Sequence, residues 1–121
     1  MGFPMAGHLS KQGYGVSVYN RSKEKSKLWA EKYHGKNFSS VKEAVTNSDI
    51  VFSCVGNDAD LRDITLGEDK AFSAMKQDSV FVDHTTTSSD IASELYKEAK
   101  EHQIHFLDAP VSGGEVGAVK G

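Results

Sequence analysis

Apolar and polar positions alternate between two periods along the chain, and the switches between them mark the elements. From Gly2 to about Gln12, Met5, Ala6 and Leu9 fall at helical spacing and Gly13 stands just past the end, which predicts a helix. Val16 and Val18 then alternate as in a strand ending at Tyr19. Asn20-Arg21-Ser22 reads as a polar turn. Ser22 is placed to cap a lysine-rich helix running to about His34, with Leu28, Trp29 and Tyr33 on one face. Ser40 and Glu43 have the spacing of a capping box before a short helix through Ala44 and Val45.

Asp49 to Val55 is the clearest strand. Its run Ile50-Val51-Phe52 has no polar interruption, which predicts a strand of a parallel sheet covered on both faces. A helix follows from about Ala59 to Met75, interrupted by Gly67. Val80 to Asp83 is a second short buried strand. Next comes a helix from about Ser89 to His102, whose Ile91, Ala92, Leu95 and Ala99 form one stripe. Ile104 to Asp108 is the last strand, and Ala109 to Gly121 reads as a glycine-rich loop or the opening of a further element.

Strands alternating with helices at this spacing predict an α/β fold, a Rossmann-type doubly wound parallel sheet. Ligands in such sheets sit beyond the carboxyl ends of the strands, so the loops after Tyr19, Val55 and Val82 should converge on one crevice. At 121 residues the chain supports one domain. A net charge of −3 gives no reason to expect nucleic acid or an anionic membrane as a partner. No apolar run approaches the roughly 20 residues that span a bilayer, and the first residues do not resemble a signal peptide. The lone Cys54 excludes an internal disulfide and reads as an inert core residue, and a cytoplasmic location is expected. His8, His34, His84, His102 and His105 show no ligand spacing, so no metal is expected.

A dinucleotide-binding domain ordinarily opens with a strand and then G-x-G-x-x-G. Here a helix comes first. If Gly2 is the third glycine of that fingerprint, the ribose-recognising position falls about 18 residues later, at Asn20. On this reading the chain is a partial dinucleotide-binding domain over residues 1–121, lacking its first strand, and two strand edges are left open.

Met1-Gly2-x-x-Met5-Ala6-x-x-Leu9-x-x-x-Gly13, followed by Val16-x-Val18-x-Asn20-Arg21, resembles the β-hydroxyacid dehydrogenase family, which includes 3-hydroxyisobutyrate dehydrogenase. Asp108-Ala109-Pro110-Val111-Ser112-Gly113-Gly114, with Gly117, Ala118 and Gly121, is similar to that family's substrate-binding signature. The resemblance covers the whole chain. It implies a hydride transfer between a nicotinamide and a short 3-hydroxyacid or semialdehyde.

An acidic residue at position 20 would bond the ribose of NAD and repel the phosphate of NADP. Asn20, Arg21 and Ser22 instead offer groups that suit a phosphate, so NADP is favoured, with NAD possible. The bland alternative is a polar turn with a cap at Ser22. The resemblance implies backbone contacts to the cofactor at Val55 and Gly56. It also implies a side-chain contact near position 60, where Asp60 replaces the amide often found. Thr86 would lie near the nicotinamide ribose, although a threonine run before a helix is also an ordinary cap. Ser112, Gly113 and Gly114 would hold the substrate carboxylate through backbone N–H groups and a hydroxyl, unless they form only an interdomain turn. Ser112 is not read as a hydrolase nucleophile, because the G-x-S-x-G pattern is missing and no strand is expected to feed a helix through it.

The family's general acid/base lysine lies on a helix of a C-terminal domain. No catalytic residue is therefore assigned within these residues, and the 121-residue chain alone is expected to be inactive. The resemblance also implies a homo-oligomer for the full-length protein. The rivals are a 6-phosphogluconate dehydrogenase-like enzyme, which shares Asn-Arg and Ser-Gly-Gly-Glu, and a noncatalytic NADP-binding or oligomerising module.

Overall fold

The computed structural model describes Met1 to Gly121. Helix α1 spans Gly2–Lys11 and strand β1 only Ser17–Val18. Helix α2 runs over Lys23–Tyr33, β2 over Lys36–Asn37 and α3 over Val41–Val45. The pattern then repeats with β3 (Ile50–Ser53), α4 (Asp58–Thr65), α5 (Ala71–Ala74) and β4 (Val80–Asp83). Helix α6 (Ser89–Glu101), β5 (His105–Asp108) and α7 (Gly114–Lys120) complete it.

Local chemistry accounts for several of these boundaries. The Ser40 hydroxyl accepts from the Glu43 N–H at 3.2 Å, the first bond of the capping box expected there, and donates to the Glu43 carboxylate at 3.0 Å, which takes the place of the reciprocal bond to the Ser40 N–H. Asn57 and Ser88 cap α4 and α6 in the same way, accepting from Asp60 and Ile91 N–H. The predicted helix from Ala59 to Met75 is two helices, because Gly67 (φ 108°) and Asp69 (φ 62°) turn the chain out of helical geometry between them. Ser22 precedes α2 without capping it through its side chain.

Every strand pairing is parallel. β3, β4 and β5 form one sheet in the order β3-β4-β5, while β1 and β2 form a second, two-stranded one. The strand β2 had no signal in the sequence. Its two residues, Lys36 and Asn37, are exposed and pair with Ser17 and Val18. No ladder joins β1 to β3, so each keeps one unpaired edge.

Helices α3 to α6 cover one face of the larger sheet. Leu61, Phe72, Phe81, Ile91, Leu95, Ala99 and Phe106 meet there in the main core. Phe72 packs edge-on against Phe81, and Phe81 stacks on Phe106. The expectation that β3 is buried on both faces does not hold. Ile50 is 51% and Phe52 47% exposed, and Leu107, two strands away in the same row as Phe52 and Val82, is 55% exposed. An uninterrupted apolar run shows that a strand is buried somewhere, but not which of its faces is covered.

Helices α1 and α2 form a smaller unit in which Trp29 is buried and its indole N–H donates to the Phe3 carbonyl at 3.1 Å. Leu28, expected on the same apolar face, points to solvent. Gly7 faces the Tyr33 ring so closely that a Cβ there would lie 2.3 Å from it, which lets the two helices approach. Cys54, expected in the core, is only half-buried.

Candidate functional site

The site begins where β1 ends. Asn20 accepts from the Ser22 N–H at 3.0 Å through Oδ1, a local bond that shapes the turn and occupies the amide oxygen. Arg21 extends outward with 83% of its side chain exposed. Its Nη1 donates to Asp60 Oδ1 at 3.2 Å, across from the first turn of α4. This contact joins the loop after β1 to the start of α4, which follows the loop after β3.

A buried polar chain joins the loop after β3 to the loop after β4. Ser53 donates to Asp83 Oδ1 at 2.7 Å, the Thr85 N–H donates to the same oxygen at 3.0 Å, and the Thr85 hydroxyl accepts from the Val55 N–H at 3.0 Å. Asp83 is 1% exposed, and its Oδ2 has no partner within the chain. The N–H of Val55 is thereby turned inward. The Val55 carbonyl and the Gly56 N–H form no hydrogen bond within the chain. Farther out, Asp58 accepts from both the N–H and the hydroxyl of Ser88. These bonds hold the Asp58 carboxyl below its usual range, and Ser88 fixes the end of the loop that carries Thr86.

Thr86 is exposed and makes no hydrogen bond within the chain. The cap of α6 is Ser88, so capping does not explain the threonine run. Gly2 opens α1 at ordinary van der Waals distance from the end of β3: a Cβ on Gly2 would stand 3.5 Å from Cys54 Cβ. The loops after β1, β3 and β4 thus converge with the start of α1, as the topology requires of a ligand crevice.

The loop after β5 approaches the same end of the sheet. The Ala109 N–H extends the ladder by donating to the Asp83 carbonyl at 2.8 Å, and His84 Nδ1 donates to the Ala109 carbonyl at 2.7 Å. The His84 ring stacks on Phe52, with centroids 5.7 Å apart. Gly113 and Gly114 have φ of 98° and 61°, conformations that few other residues accept. The N–H groups of Ser112, Gly113 and Gly114 are left without backbone partners. No strand feeds a helix directly through Ser112, since residues 109–113 separate β5 from α7, and the stretch read as a glycine-rich loop or the opening of a further element ends in α7, which rests on α1. His8 Nε2 lies 2.9 Å from the Ala118 carbonyl and 3.1 Å from that of Val119. The order of residues around Ser112 also differs from a nucleophile elbow.

The sequence alone did not single out two of these contacts. Arg21 and Asp60 are 39 positions apart, and nothing local signals their pairing. His84 looked like one of five scattered histidines, and its only sequence signal is its place directly after the aspartate that ends β4.

Parallel strands crossed over by helices, with glycines and unpaired N–H groups at their carboxyl ends, define a Rossmann-type dinucleotide-binding fold. The chain belongs to the family described as the NAD binding domain of 6-phosphogluconate dehydrogenase, which matches residues 1–121. It is 52% identical over its whole length to an uncharacterized oxidoreductase of Shewanella frigidimarina, of which it covers 42%. It is 41% identical, again over its whole length, to a probable mitochondrial 3-hydroxyisobutyrate dehydrogenase-like protein of Arabidopsis thaliana, covering 40% of that protein. Among solved structures it resembles that of the Mycobacterium tuberculosis 3-hydroxyisobutyrate dehydrogenase with L-serine, at a TM-score of 0.87 and 30% identity. That match covers 99% of this chain and 40% of the other. The chain therefore spans about two fifths of the length of the relatives it matches.

Proposed function

We propose that this chain is the cofactor-binding part of an NAD(P)-dependent oxidoreductase acting on a short 3-hydroxyacid or semialdehyde, with NADP favoured over NAD. The observation that carries this reading is the turn after β1. It presents an exposed guanidinium, Arg21, and has no acid at position 20. Such a turn suits a ribose phosphate and does not repel it.

The residues fit a dinucleotide. The start of α1 at Gly2 offers N–H groups to a pyrophosphate. Asn20, Arg21 and Ser22 would hold the ribose end, with Val55 and Gly56 lying along the middle through the Val55 carbonyl and the Gly56 N–H, which are free. Thr86 would reach the nicotinamide ribose, and its hydroxyl is not needed by the fold. A bound nicotinamide supplies the hydride acceptor or donor. Ser112, Gly113 and Gly114 would orient the substrate carboxylate beside it, because their N–H groups are unpaired and no side chain on the glycines blocks approach. The proton would be handled by a lysine outside these residues, and the full-length protein would work as a homo-oligomer.

Fluorescence titration of the full-length natural protein with NADPH and NADH tests the reading. It predicts tighter NADPH binding that Arg21→Ala abolishes. Equal affinities, unchanged in that variant, would remove the phosphate role of the turn. Binding of neither cofactor would favour a noncatalytic module.

A further inference from the structure

The one partner of Arg21 is an acid fixed in place by its surroundings. The Asp60 N–H donates to Asn57 Oδ1 at 2.9 Å, which anchors its backbone in the first turn of α4. Its Oδ2 leans so far over Gly56 that a Cβ on that glycine would stand 2.8 Å away. Its side chain is 27% exposed, against 83% for Arg21, so the carboxylate is the seated member of the pair and the guanidinium the one that reaches. Arg21 donates to it through Nη1 alone.

From this arrangement we infer that Asp60 is a specificity-determining residue that lowers the preference for NADP over NAD. The inference rests on the proposed phosphate role of Arg21. A ribose phosphate within hydrogen-bonding reach of Arg21 must either displace the Asp60 carboxylate or settle close beside it. In the first case Asp60 competes for the guanidinium, and in the second it repels the phosphate directly. NAD carries no group there, so it meets neither cost and leaves the Arg21–Asp60 pair intact. The chain thereby accepts both cofactors with less discrimination than its Asn-Arg-Ser turn alone would give.

The test is Asp60→Asn in the full-length natural protein, with Asp60→Ser as a second variant, titrated with NADPH and with NADH. Both substitutions leave the backbone bond to Asn57 in place. The expected result is a preference for NADPH over NADH that rises about two- to fivefold, the range of an exposed ion pair. Raising the salt should shrink the gain, because exposed charges are screened. A structural effect of the substitution would move both affinities together, and an unchanged ratio of the two would overturn the inference. The Arg21→Ala protein separates the two readings. If Arg21→Ala lowers the ratio and the Asp60 variants do not raise it, only the role of Asp60 fails. If Arg21→Ala leaves the ratio alone, the phosphate reading fails and takes this one with it.

Discussion

The imidazole of His84 donates from Nδ1 to the carbonyl of Ala109 at 2.7 Å, so a side chain at the end of β4 holds the first residue after β5. The acceptor is a carbonyl, which fixes the proton on Nδ1. The ring lies flat on Phe52, at 7° between planes, and this limits its rotation. One histidine thus ties the loop bearing Thr86 to the loop bearing Ser112.

His84→Phe keeps an aromatic ring over Phe52 and removes the donor. On the proposed function, it should raise the full-length protein's KM for its hydroxyacid roughly three- to tenfold, the worth of one hydrogen bond, and leave NADPH affinity near its natural value. His84→Asn, which restores a donor close to the same place, should recover part of the loss. Steady-state kinetics on all three proteins decides it, and equal KM values would show that the bond does not position the loop.

Ser53 and Asp83 make a second pairing across strands, buried where the loops after β3 and β4 meet. Asp83 already has one oxygen without a partner in the chain, so Ser53→Ala leaves the other with only the Thr85 N–H. The expected cost is about 1–3 kcal/mol of unfolding free energy, measured from urea denaturation. A midpoint within error of the unsubstituted protein would mean that water satisfies the carboxylate.

Acid should loosen the same end of the molecule through Asp58. Its bonds to the Ser88 hydroxyl and N–H hold its folded-state pKa below the unfolded value. The resulting stability is present in full above that unfolded value and is lost as pH falls through the folded one. Asp58→Asn should therefore be less stable than the natural chain at pH 7, and the two should converge as the pH is lowered. Denaturant midpoints followed from neutral to acidic pH check this, and a gap that stays constant with pH would contradict it.

Much of the fold was legible in short stretches of residues. The stripe of Ile91, Ala92, Leu95 and Ala99 predicted α6, and three of the four are buried, with Ala92 half-buried. The Ser40–Glu43 spacing gave a cap that forms as expected. Three strands ending in small polar loops predicted that those loops meet at one end of the sheet, as they do. These signals are local, since periodicity and capping depend on neighbours within one or two turns, and a sequence displays those neighbours directly.

Chain-wide packing decided the rest. β2 exists because Lys36 and Asn37 meet β1, not because of any preference of their own. Ile50 and Phe52 are as apolar as core residues and yet exposed, since burial of a strand face depends on what elsewhere in the chain lies over it. At the site, the sequence alone determined which chemical groups stand at the strand ends: Asn20, Arg21 and Ser22, then Gly56, Thr86 and Ser112-Gly113-Gly114. Only the tertiary structure decided how they are held, with Arg21 against Asp60, Ser53 against Asp83 and His84 against Ala109, pairs 39, 30 and 25 positions apart. Contacts at such separations arise when whole elements dock, and no local pattern of residues carries them.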